Sequence, residues 1–121
     1  MKTYRGRRDN NNVGHVTVTD NDSKVSHRLD PLVSQAVWNH SPDGFNWGRY
    51  RSGAAQLALA LLLDHGLSAE DAVRLHQSFK GEVVAGLSDY FTLTGDQIET
   101  AVKSLRESEP ESHPDSQSAV A

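Results

Sequence analysis

The 121-residue sequence predicts an α+β fold, and three observations carry that prediction. Short stretches of alternating β-branched residues, parted by turn formers, fill residues 3–29. Segments with helical spacing and readable ends fill the region after residue 52. The two kinds of segment are segregated along the chain, which favours an antiparallel sheet beside helices over alternating βαβ units. The expectation is a small N-terminal β-meander of about three strands, packed on a three-helix C-terminal part with a buried central helix.

T-Y-R-G-R-R at 3–8 reads as the first strand, and D-N-N-N-V-G at 9–14 is dense in turn formers. H-V-T-V-T at 15–19 places Val16 and Val18 on one face and Thr17 and Thr19 on the other. After the turn D-N-D-S, K-V-S-H-R-L at 24–29 alternates again and puts Val25, His27 and Leu29 together. A meander this small needs helices against its apolar face. D-P-L-V-S-Q-A-V-W at 30–38 fits either a short helix, capped by Asp30 with Pro31 at its first position, or an extended segment.

Three helices follow. Ser52 is placed to cap the first, Gly66 to stop it in a left-handed conformation, and His65 lies in its last turn. The run Leu57 to Leu63 is apolar on every side, so this helix should lie between the sheet and the other helices. The second helix starts at Ser68, with Glu70 and Asp71 in its acidic first turn. Ala72, Val73, His76, Phe79, Val83 and Leu87 trace its inner face, with Gly81 as the candidate for a close helix crossing. Y-F-T-L at 90–93 fits a linker or a strand. Thr94 and Gln97 have the spacing of a capping box, and Ile98, Ala101, Val102 and Leu105 form the stripe of the third helix. The expected domain is 1–106. From 107 to 121 the sequence has little to bury and reads as a disordered acidic and polar tail.

Composition narrows the chemistry. The chain has no cysteine, which removes disulfides, thiolate zinc sites and cysteine nucleophiles. The start, M-K-T-Y-R-G-R-R-D, is basic and lacks an apolar stretch, and the longest apolar run falls far short of the roughly 20 residues that span a bilayer. The expectation is a soluble cytoplasmic protein with no membrane partner, a monomer or weak homodimer. The net charge of −4 is unevenly spread: residues 1–51 carry eight Lys/Arg against five Asp/Glu, and residues 52–121 carry four against eleven. The N-terminal half suits an anionic partner.

The loop N-H-S-P-D-G-F-N-W-G-R-Y-R at 39–51 leads directly into the apolar helix. In one reading Phe45 and Trp47, two residues apart, plug the core above that helix. In the other, the N–H groups at Gly53, Ala54 and Ala55 face outward with the positive end of the helix dipole. Arg49 and Arg51 then add charge, making a small-anion site bordered by His40 and Trp47. A hydrolytic version would use His40 with Asp43 and Ser41 or Ser52, but no nucleophile-elbow sequence is present. The histidines at 15, 27, 40, 65, 76 and 113 show no H-x-x-x-H pair, so no metal and no cofactor is expected. R-G-R-R at 5–8 turns Arg5 and Arg7 to one face and Arg8 to the other. These side chains could grip a nucleic-acid backbone or simply guard an edge strand.

Several segments together resemble a family of small proteins known only as a domain of unknown function, found in bacteria, archaea and mobile elements. They are Y-R-G-R-R at 4–8, V-T-V at 16–18, L-D-P at 29–31, N-H-S-P-D-G-F-N-W-G at 39–48, S-G-A-A-Q-L-A-L-A-L-L at 52–62 and S-F-K-G-E-V-V-A-G-L at 78–87. The resemblance implies a shared fold and brings no activity with it. The functional expectation is a non-enzymatic binding module. It would contact a macromolecular partner, nucleic acid or protein, through the 39–52 loop and the basic strands, with His40, Trp47, Arg49, Arg51, Ser52, Gly53, Arg5, Arg7 and Arg8 as contact residues. The alternative is the small-anion or hydrolytic site at the start of the central helix.

Overall fold

The computed structural model describes residues 1–48 and 51–109. Four strands form one antiparallel sheet: β1 (Lys2–Arg8), β2 (Gly14–Asp20), β3 (Ser26–Arg28) and β4 (Tyr90–Thr94), in the order β3-β2-β1-β4. Four helices accompany it: α1 (Pro31–Val37), α2 (Arg51–His65), α3 (Ala69–Glu82) and α4 (Gly95–Ser108). The fold is α+β, with the N-terminal strands packed on helices.

The β1–β2 turn is built by Asp9, whose Oδ1 accepts the N–H groups of Asn11 and Val13. The next turn consumes more chain than the sequence suggested. Lys24 takes a positive φ, and its N–H reaches back to the Asp20 carbonyl. β3 therefore begins only at Ser26, and Val25, expected in the core beside His27 and Leu29, is 60% exposed. His27 is exposed too, and only Leu29 is buried.

Residues 31–37 are helical. Asp30 caps the helix by accepting from the Leu32 N–H, and Pro31 occupies its first turn. α2 begins at Arg51, one residue earlier than the expected cap, so Ser52 is an exposed residue of the first turn, and among the described residues its side chain makes no capping hydrogen bond. Every residue from Gly53 to Leu62 is buried. Gly66 stops α2 with φ +120°, and its N–H and that of Leu67 both return to the Leu62 carbonyl.

Ser68 caps α3 as its sequence implies, but a 3₁₀ turn at Val84–Gly86 breaks the inner stripe before Leu87. Gly81 is not at a helix crossing: it is exposed, and nothing lies within 4 Å of where a Cβ would stand. Residues 90–94 form a strand, with Phe91 and Leu93 inward and Tyr90 and Thr92 outward. β4 pairs with the free side of β1, so the sheet has one strand more than the expected meander. α4 starts with the Thr94–Gln97 capping box and runs through Ser108, two residues past the expected boundary at 106. Glu109 then ion-pairs with Arg74. The remaining tail, 110–121, lies outside the described residues.

The helices cover one face of the sheet. Tyr4, Val16, Val18, Phe91 and Leu93 from that face join Trp47 and the apolar residues of α2, α3 and α4 in one continuous core. Among the described residues no helix is long and apolar enough to cross a membrane. On the other face of the sheet Arg5, Arg7, Arg28 and Tyr90 are exposed.

Candidate functional site

The described part of the loop before α2, up to residue 48, is packed against the core. Trp47 is fully buried, its Nε1–H donates to the Ser88 carbonyl at 2.8 Å, and its ring meets Phe91 edge-on with centroids 4.9 Å apart. Phe45 is also buried, and its carbonyl accepts the Gly14 N–H. Arg8, on the core-facing register of β1, fastens this loop. Its Nε donates to Asn46 Oδ1 at 2.7 Å and its guanidinium to the Trp47 carbonyl at 2.7 Å. It also lies 4.9 Å over the Trp47 ring and ion-pairs with Asp89.

The start of α2 is overlain by the same loop. A Cβ on Gly53 would stand 2.6 Å from Asn46 Cβ and 2.8 Å from Asn46 N. Gly53 thus lets the loop lie directly on the helix. A cleft of about 350 Å³ remains beside it, lined by Arg51, Ser52, Gly53, Asp43, Asn46 and Asn12 among others. Neither His40 nor Trp47 lines that cleft. Arg49 lies outside the described residues.

His40 belongs to a separate cluster. Its Nε2 is 2.9 Å from Nε2 of His76, and Trp38 stacks on its ring with centroids 4.5 Å apart. Gln56, buried inside the otherwise apolar α2, accepts the N–H groups of His40 and Ser41 and donates to Ser34 Oγ and the Trp38 carbonyl. Six histidines are present in the chain, yet among the described residues no group of three His, Cys, Asp or Glu could hold a metal ion.

Arg5 and Arg7 project from the uncovered face, and the strand register gives their neighbours. Arg7 lies between His15 on β2 and Tyr90 on β4. Arg5 lies between Thr17 and Thr92, and Thr17 is in turn opposite Arg28 on β3. These residues surround a cleft of about 520 Å³ that no carboxylate lines. Arg5, Arg7 and Arg28 are exposed, and among the described residues none of their guanidinium groups has an ion pair or hydrogen bond. Asp9, at the turn, contacts the lining residue His15, with 2.9 Å between its carboxylate and Nε2. That hydrogen bond, helped by those from Val13 and Asn11, holds its carboxyl well below the usual carboxylate range.

Of the residues expected to make contacts, the fold brings Arg5 and Arg7 to one surface and turns Arg8 and Trp47 into internal supports. Arg51, Ser52 and Gly53 lie together at a different cleft. Sequence reasoning missed Arg28, His15 and Tyr90 as members of the basic face. The available signal was the outward half of each alternating segment, including Y-F-T-L.

A family model matches residues 4–104. The chain belongs to the family of unknown function DUF6166. That match covers β1 from Tyr4 onward, the whole of β2, β3 and β4, and all of α1 to α3, so Arg5, Arg7, Arg28 and Tyr90 and the described part of the supporting loop lie inside the family's boundaries. No curated protein matches the chain, and no solved structure matches it.

Proposed function

We propose that the protein is a non-enzymatic binding module that takes a nucleic acid on the uncovered face of its sheet. The observation that carries this reading is the trio Arg5, Arg7 and Arg28 around one acid-free cleft, against a chain whose net charge is negative. Three exposed guanidinium groups without internal partners place positive potential where a phosphate backbone can lie, and guanidinium matches phosphate in geometry. The 39–48 loop serves this face from within: Arg8, Asn46 and Trp47 fix residues 88–91, from which β4 starts. The reading sets the protein in the cytoplasm, where DNA and RNA are accessible.

The small-anion or hydrolytic reading has less support. The cleft beside Ser52 includes Asp43, which repels anions, and Asn46 lies against Gly53.

The test is fluorescence anisotropy with labelled DNA and RNA across a salt series. Binding should weaken steeply with salt, and the Arg5→Ala/Arg7→Ala double variant should reduce the log–log slope by about 2 while weakening binding at least about tenfold. Absence of binding to any nucleic acid at about 100 μM protein and low salt would remove this reading.

A further inference from the structure

We infer that the nucleic acid is single-stranded and that the Tyr90 ring is the platform on which one of its bases stacks. This inference rests on the nucleic-acid reading above. Tyr90 is 75% exposed, and among the described residues its ring has no aromatic neighbour and its hydroxyl no hydrogen bond. A large ring left in water on a sheet face is not explained by the core.

Its backbone, by contrast, is firmly held. Phe91 next to it lies against the Trp47 ring and fills the space over Gly6, where a Cβ would collide with the Phe91 ring. Ser88 accepts from Trp47, and Asp89 pairs with Arg8. A fixed backbone carrying a free ring is a preorganised stacking surface, because little order remains to be imposed on binding.

The register adds direction. Strands lie about 4.8 Å apart and same-face residues about 7 Å apart along a strand. The row His15–Arg7–Tyr90 therefore sets a cationic group between two flat rings, and the row Arg28–Thr17–Arg5–Thr92 follows it one step along. A strand crossing these rows can place phosphates on Arg7 and Arg5 and a base on Tyr90 at once. A duplex cannot use the ring. Its bases are already stacked, and a four-stranded face about 14 Å broad between its outer strands does not enter a major groove about 12 Å wide. Unpaired bases splayed over an open sheet are the arrangement that stacking on aromatic side chains suits.

The experiment compares a mixed-sequence single-stranded oligonucleotide of about 12 nucleotides, as DNA and as RNA, with the corresponding duplex, which spans a comparable site. The full-length protein should bind the single strands at least about tenfold more tightly than the duplex. Tyr90→Ala should weaken single-strand binding about fivefold or more and leave duplex binding unchanged, and Tyr90→Phe should retain the preference. Tyr90 is exposed, so both variants should keep the wild-type melting temperature. Equal or tighter duplex binding by the wild type, or a Tyr90→Ala variant that binds single strands normally, overturns the inference while the nucleic-acid reading stands. No binding to either form overturns both.

Discussion

The Nε2 atoms of His40 and His76 lie 2.9 Å apart, and the other ring nitrogen of His76 is 2.6 Å from the Val73 carbonyl. Nδ1 of His76 must carry a hydrogen to donate to that carbonyl. In the neutral ring its Nε2 is then an acceptor, and His40 donates to it from a protonated Nε2. Burial is the main cause that lowers the pKa of both rings. For His40 the neighbouring His76 adds to it, and Lys80 acts on both. Unfolded histidine takes up its proton near pH 6.5, and the folded pair resists doing so. The unfolded state thus binds more protons as pH falls through 6.5, so stability is complete above that pH and declines below it. The melting temperature should fall by a few degrees between about pH 7.5 and 5.5, and the fall should be smaller in His40→Ala. Asp9, Asp20 and Glu99, whose carboxyls are held low, act only at more acidic pH, so the two windows are separable. An identical pH slope in wild type and His40→Ala would refute the assignment.

Trp47 joins the loop to the sheet's last strand, and its removal should be felt in both. Trp47→Ala leaves a cavity between Phe91 and Arg8 and strips the Ser88 carbonyl of its donor. The expected loss is about 3–5 kcal/mol in urea denaturation. Trp47→Phe fills much of the volume but not the hydrogen bond, so it should cost less, about 1–3 kcal/mol. A Trp47→Ala variant of wild-type stability would mean that the ring does not seal the core.

Two helical glycines should respond in opposite senses to alanine. At Gly53 the new Cβ meets the backbone of Asn46, which cannot swing away, so the loop must lift from α2 at a cost of about 1–3 kcal/mol. At Gly81 the space is open and the residue belongs to α3, so Gly81→Ala should stabilise by about 0.5–1 kcal/mol through helix propensity. Paired thermal melts decide this, and the same sign for both substitutions would contradict the placement of the loop on α2.

How much of this was legible in the sequence follows from how local each signal is. The apolar run of α2, the Gly66 stop, the Ser68 cap and the Thr94–Gln97 box are each written within a few residues, and the structure contains them all. Trp47 as a core plug was one of two open readings, because its acceptor on Ser88 is 41 positions away. β4 is five residues long, and its partner β1 lies at the other end of the chain, so alternation alone left a linker equally open. The basic face was legible only in part. Arg5 and Arg7 share a strand, but Arg28 and Tyr90 reach them through three pairings that no local pattern encodes. Likewise His40 and His76 meet across 36 positions, invisible to a search for metal-ligand spacing.

Gln56 stands in the middle of the most apolar helix, and a polar amide fully buried there must spend all its hydrogen-bonding capacity on the protein. It does so toward one region: its oxygen takes the N–H groups of His40 and Ser41 at 2.7 and 3.0 Å, and its nitrogen reaches Ser34 Oγ at 2.9 Å and the Trp38 carbonyl at 3.1 Å. Ser34 donates onward to the Pro31 carbonyl, so one side chain ties α1 and the segment up to residue 41 to the central helix. That tether matters because Leu32 and Val33 of α1 are exposed and contribute little burial of their own. Gln56→Leu keeps the volume and orphans two backbone donors, at an expected cost of about 2–4 kcal/mol. The loss should also be local. Amide exchange in residues 31–41 should accelerate well before that in β1 and β2, because the sheet shares none of these bonds. Uniform acceleration across the sheet and α1 would show that Gln56 supports the whole core and is not the anchor of this segment.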